Sequence, residues 1–357
     1  MKKYFTYFKR CKFPLYFFVG SRNTEDGSTS DFELRTSYLL FNYSTIYSIF
    51  SLILFTSICG NLSAQQSVHY TQYSFNNLGY NPAFIGTTKC VEFKAGTRLQ
   101  WLGFKGAPRS SFASLQHTFK AKNFHQNGKH GIGLYVEQDE IHITTRSYVK
   151  LGYAYHKKLS SKFTGSVGIF AGIQQYAINT AFAPNDPDPV LANASGSVLK
   201  YPDIMPGLLI YSNKVYYSFS INQLYFKDVG LGGDDNKQIN QYYLGWGHKS
   251  PLGNWTWFKS FLLKADVMGP PALDLNTHWD YQNNIGFGLG YRVGEAVNAQ
   301  LKLRVLASIA IGYSFDFPLN KIYGNYTHEI MISFSRCSAG GIGDGGSNKQ
   351  HACPAYD

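Results

Sequence analysis

The stretch NIGFGLGYRVG, residues 284–294, decides the fold. Ile285, Phe287, Leu289, Tyr291 and Val293 fall on one side and Gly286, Gly288, Gly290, Arg292 and Gly294 on the other, the period of a strand with one apolar and one polar face. The same alternation runs through SIAIGYSFDF (308–317), LDLNTHWDYQ (273–282), VNAQLKLRV (297–305) and CVEFKAGTRLQW (90–101). About fourteen such segments follow one another, near 90–101, 110–120, 130–139, 144–158, 162–178, 202–212, 215–225, 240–249, 255–268, 272–282, 284–294, 296–304, 307–317 and 326–336. Turn residues such as Asn127-Gly128, Ser160-Ser161 and Ser212-Asn213 join several of them over short distances, which predicts one hairpin after another.

A soluble sandwich alternates too, but its polar face meets bulk water and is rich in Lys and Glu. Here that face carries Gly, Ser, Asn and Gln with isolated charges, while the other is crowded with aromatic and aliphatic side chains. Strands of about ten residues cross a bilayer when tilted, and Trp101, Tyr155, Trp255, Trp279 and Tyr281 near segment ends fit aromatic girdles. Lipid forbids unpaired backbone groups, so the spanning solution is closed. The expected fold is all-β: a closed antiparallel transmembrane β-barrel of about 14 strands, occupying 90–336 in the outer membrane. A secreted sandwich is the rival.

Ahead of the strands, IYSIFSLILFTSI (46–58) is an apolar run too short for a spanning helix, followed by GNLSAQQ. Residues 1–64 read as an N-terminal extension plus a signal peptide cleaved near Ala64. Removing them takes away seven Lys/Arg and four Asp/Glu, leaving 26 against 18. The remaining charge is dispersed and no nucleic-acid-binding signature accompanies it, so nucleic acid is excluded as a partner. Cys90, Cys337 and Cys353 allow at most one disulfide in the mature chain. The Gly-rich tail 337–357 has little to bury.

Motifs that would carry chemistry are incomplete. His328-Glu329 lacks a second His and lies on a strand, where neighbouring side chains point oppositely. The run GGIGDGG (340–346) has no Lys-Ser/Thr after it, and Asp186 and Asp188 of NDPDPV read as turn residues. Inward-facing His156 and His278 have no identifiable nucleophile. Lys94, Arg98, Lys150, Arg292, Lys302 and Arg304 face Glu92, Asp274, Asp280, Asp316 and Glu329 in an expected lumenal charge network. No catalysis, cofactor or metal is expected.

The segment YTQYSFNNLGYNPAFIGT (70–87) is too aromatic for a linker and too broken by Gly79 and Pro82 for a helix. With RLQWLGFKGAPRSS after it, it resembles the opening of the PorP/SprF family of type IX secretion and gliding proteins. The matching residues are Gln72, Tyr73, Phe75, Asn76, Tyr80, Asn81, Pro82, Ala83 and Gly86, then Arg98, Gln100, Trp101, Gly106, Ala107 and Pro108; Phe84 departs from a typically small position. The resemblance extends over 65–357 and implies a non-enzymatic accessory barrel of the outer membrane. Such a barrel links outer-membrane components to the periplasmic apparatus, or supports export and anchoring of secreted adhesins with a C-terminal domain; a passive porin is the alternative. The implied partners are type IX components, that cargo and outer-membrane lipid. Residues 65–89 are expected on the periplasmic side, where the aromatics of 70–86 either seal the barrel or meet a partner.

Overall fold

A computed structural model of the chain describes residues 68–88, 90–120, 128–178, 198–224, 239–266, 269–319 and 326–337. The signal segment 1–64, the loop at 185–190 and the tail beyond Cys337 lie outside the described residues.

Fourteen strands follow in order: β1 (Cys90–Leu99), β2 (Arg109–Lys120), β3 (Lys129–Ile141), β4 (Thr144–Lys158), β5 (Thr164–Ile178), β6 (Val198–Tyr211), β7 (Val215–Asn222), β8 (Gln241–Leu252), β9 (Trp255–Asp266), β10 (Ala272–Tyr281), β11 (Ile285–Arg292), β12 (Ala296–Leu306), β13 (Ile309–Pro318) and β14 (Thr327–Cys337). Each pairs antiparallel with its neighbours, and β1 pairs with β14 to close the barrel. Closure gives each of these strands a hydrogen-bonded neighbour on both sides, the arrangement a spanning sheet needs in lipid.

The alternation in the sequence becomes a division between outside and inside. Along β11, Ile285, Phe287, Leu289 and Tyr291 are exposed while Gly286, Gly288, Gly290 and Arg292 are buried. An outer surface of Val, Ile, Leu, Phe and Tyr surrounds a lumen in which ionised and amide side chains lie among buried rings and aliphatics such as Phe112, Tyr216 and Met331, so the charged groups are inside and the exposed face is apolar, as lipid requires.

Strand limits differ from expectation by a few residues. The β6 strand begins at Val198, ahead of the expected start at 202. Its pairing with β7 covers Gly207–Tyr211, and Pro202 and Pro206 fall in the part paired along β5 alone. The β12 strand runs to Leu306 through an irregularity between Arg304 and Leu306.

Cys90 faces Cys337 in the β1–β14 register, so the first and last strand residues share one rim, called here the terminal rim. Cys90 is disulfide-bonded. The terminal-rim turns 159–163, 212–214, 253–254, 282–284 and 307–308 are short. The opposite, far rim carries the described connection 100–108 and the ends of β5 and β7.

Candidate functional site

Residues 68–88 lie inside the barrel. Gly79 and Pro82 do break helix, and two single 3-10 turns result, Asn77–Gly79 and Pro82–Phe84. Asn81 is extended, and its side-chain oxygen caps the second turn by accepting from Ala83 N at 2.8 Å. A segment this irregular leaves backbone groups unpaired, and the lumen wall supplies their partners.

Nearest the far rim, the Glu329 carboxylate accepts the backbone N–H groups of Thr71 and Gln72, both at 2.9 Å. The Thr71 hydroxyl donates to Asp316 and accepts from Arg98 Nη1 at 2.8 Å, and Asn276 donates to the Thr71 carbonyl. Arg98 is paired with Asp316 at 2.9 Å and with Glu329 at 3.3 Å. Asp274 beside them accepts from Arg292 Nε at 2.7 Å and meets Lys264 Nζ at 2.9 Å. Burial, then Lys264 and Arg292, push the His69 imidazolium well below its ordinary range.

Halfway down, Tyr73 bonds Ser260 at 2.8 Å, Ser220 donates to the Tyr80 carbonyl, and Asn81 Nδ2 donates to Leu208 O and Phe219 O. Towards the terminal rim, Ser166 donates to Ala83 O, His156 Nε2 to Ile85 O, Lys129 to Thr87 O and Thr118 to Thr88 O. Rings close the remaining space: Tyr70 on Phe112, Tyr80 on Tyr243 and Phe84 on Tyr216, at centroid separations of 5.1, 5.4 and 5.5 Å. The large Phe84 thus fills wall space beside Tyr216. Where the segment's backbone touches the wall, the wall is glycine: a Cβ on Gly131 would stand 2.6 Å from Ile85 O, and one on Gly168 2.5 Å from Ala83 N. A cavity of about 30 Å³ remains beside Val68, Tyr70, Glu137, Arg146, Lys150 and Tyr243, room for about two waters.

The fifteen motif residues therefore separate into two places. Gln72, Tyr73, Asn76, Tyr80, Asn81, Pro82, Ala83, Gly86 and Arg98 are buried in the lumen, with Phe75 packed against them. Gln100, Trp101, Gly106, Ala107 and Pro108 form the β1–β2 loop at the far rim. There Gln100 N donates to Pro108 O, Leu102 N to Tyr326 O and Ala107 N to Phe104 O. Trp101, Gly103 and Gly106 adopt positive φ, and Leu102 and Phe104 stand exposed at the loop's tip.

The expected charge network includes Lys264 and Asp203, which sequence reasoning missed. Lys264 is an inward position in the alternation of WTWFKSFLLKAD, a usable signal, while Asp203, which meets Lys150 at 2.6 Å, sits in the part of β6 obscured by prolines. His328 points outward to the Tyr313 hydroxyl and Glu329 inward, as strand geometry requires. His156 is engaged by Ile85 O and the Tyr211 hydroxyl, and His278 packs by Phe258. Among the described residues no group of three His, Cys, Asp or Glu is placed to hold a metal.

A family model described as type IX secretion system membrane protein PorP/SprF matches residues 62–334. The chain belongs to the PorP/SprF family. The match spans the lumenal segment and nearly the whole barrel, and the chain is an outer-membrane β-barrel of this type IX secretion family. No curated protein matches this PorP/SprF chain. Solved structures similar to it are outer-membrane barrels. The Pseudomonas putida toluene transporter TodX is 10% identical, with 79% of this chain and 97% of that one covered at a TM-score of 0.44. The CymD monoaromatic hydrocarbon channel is 10% identical, covering 73% and 91% at 0.44. The Acinetobacter baumannii outer membrane protein Omp33 is 8% identical, covering 70% and 99% at 0.40.

Proposed function

We propose that this PorP/SprF protein is a plugged, non-enzymatic accessory barrel of the type IX secretion and gliding machinery. It joins outer-membrane components to the periplasmic apparatus or supports export and anchoring of secreted adhesins. The observation that carries this reading is the filled lumen: residues 68–88 are bonded to the wall from the Arg98 level down to Thr118. A passive porin works through a water-filled channel, whereas a scaffold needs rigid surfaces, and a packed lumen supplies rigidity.

Short turns are the periplasmic habit of such barrels, so the terminal rim faces the periplasm and the far rim the exterior. In that orientation the terminal-rim turns meet the apparatus, and the β1–β2 loop with Trp101, Leu102 and Phe104 offers an apolar knob to secreted cargo. Affinity purification of the intact barrel from membranes tests the reading. Type IX components or a large adhesin should accompany it, and Phe104→Ser should reduce recovery of the adhesin while leaving the apparatus bound. Recovery of only generic barrels and lipopolysaccharide-assembly proteins would overturn it.

A further inference from the structure

The outward face of β8–β10 is not uniformly apolar. Outward residues on β8 are Trp246, His248 and Ser250, on β9 Trp257, Lys259 and Phe261, and on β10 Leu275, Thr277 and Trp279. The register sets His248 beside Lys259 and Lys259 beside Thr277, a polar row across three strands. The row nearer the terminal rim is Ser250, Trp257 and Trp279; the row beyond is Trp246, Phe261 and Leu275.

Lys259 is out of place for a lipid-facing side chain. It lies four residues along β9 from Trp255 at the terminal rim, about 10 Å along the barrel axis at ordinary rise and tilt. Among the described residues, it is the one outward Lys or Arg more than three residues from a strand end, and no outward carboxylate lies on β8–β11 to neutralise it. Its Nζ rests 3.6 Å from the Trp257 ring centroid, and that ring stacks on Trp279. The Trp257 indole donates to the Thr277 hydroxyl at 2.7 Å, and His248 Nδ1 is 3.1 Å from the Ser250 hydroxyl. A cation held on an indole stack, with an imidazole on one side and a hydroxyl on the other, matches a phosphate above a greasy chain.

We propose that this patch is a binding site for the phosphate of an anionic glycerophospholipid in the periplasmic leaflet. Lys259 supplies the charge over the Trp257–Trp279 stack, Trp246, Phe261 and Leu275 in the deeper row face the acyl chain, and His248 and Thr277 flank the headgroup oxygens. The depth of the row and its net positive charge favour a lipid over a second copy of this chain, whose equivalent patch would set lysine against lysine.

Four of the five tryptophans lie in or beside the site and the fifth, Trp101, is in the β1–β2 loop, so indole fluorescence of Trp101→Phe protein reads it directly. The full-length barrel is reconstituted in phosphatidylcholine vesicles carrying a minor fraction of brominated phosphatidylglycerol or brominated phosphatidylcholine. Quenching should show about five-fold enrichment of the anionic lipid, the scale of one lysine near an anionic surface. Lys259→Gln should abolish the enrichment and Lys259→Arg should keep it. Equal quenching by the two brominated lipids, or enrichment unchanged in Lys259→Gln, overturns the site. So does enrichment appearing only when lipopolysaccharide replaces phosphatidylglycerol, or Lys259-dependent cross-linking to a second copy in place of lipid enrichment.

Discussion

Thr71 is small, yet its N–H, hydroxyl and carbonyl are bound by Glu329, Asp316, Arg98 and Asn276, groups from four strands, β14, β13, β1 and β10. Arg98 holds this knot together, because its planar fork bridges two carboxylates that would otherwise repel each other in a dry lumen. Arg98→Gln should cost about 3–5 kcal/mol, the penalty for breaking a buried pair from one side, read as a lower urea midpoint of barrel unfolding. Arg98→Lys keeps the charge without the fork and should fall between. His69 adds a pH dependence of definite sign. Docked among Lys264 and Arg292 it stays neutral, whereas a free imidazole takes a proton near 6.5. The undocked state therefore binds the extra proton, and docking of the segment should be complete above about 6.5 and weaken as pH falls below it. Limited proteolysis of residues 68–88 across this range measures the loss, and His69→Gln should flatten it.

At the scale of elements, the lumenal segment is a fitted insert whose Tyr70, Leu78, Phe84 and Ile85 form one buried apolar cluster with wall residues such as Phe112, Phe170 and Met331. Its turns press on wall glycines, so Gly168→Leu should eject the Pro82–Phe84 turn at a cost of about 1–3 kcal/mol. The expected readout is protease cleavage within 68–88 with the strand signal in circular dichroism intact. The strands themselves were legible because lipid and lumen impose opposite demands on alternate residues. Ile285 to Tyr291 announce an outside, and Gly286 to Arg292 an inside, without reference to any other part of the chain. The destination of 70–87 was not legible: Tyr70, Tyr73 and Phe84 suit an interface as well as a lumen, and what distinguishes these is the set of wall partners. Those pairings, such as Arg98 with Asp316 across 218 residues, arise from barrel closure and leave no local pattern. The motif residues show the same limit. Asn81 to Ala83 and Trp101 to Pro108 are close in sequence, yet the intervening β1 strand carries the second group towards the opposite rim.

For the whole molecule, the balance between wall and insert determines whether the barrel conducts. In planar bilayers the intact protein should give no sustained porin-like openings, and removal of residues 68–88 should create them. The character of the new pore follows from the charges it uncovers. Among the described residues, buried Lys94, Arg98, Lys129, Lys150, Lys264 and Arg292 are matched by Glu92, Asp139, Asp203, Asp274, Asp316 and Glu329, six of each sign, and half-buried Arg146 and Glu137 beside the cavity add one of each. Selectivity follows the net charge lining a pore, so the deleted barrel should conduct with a reversal potential close to zero across a KCl gradient. Arg98→Gln in the deletion background removes one cation from this balance and should tip the pore towards cations. Steady large openings of the intact protein would mean the segment leaves the lumen on its own, and the scaffold reading would give way to a gated channel.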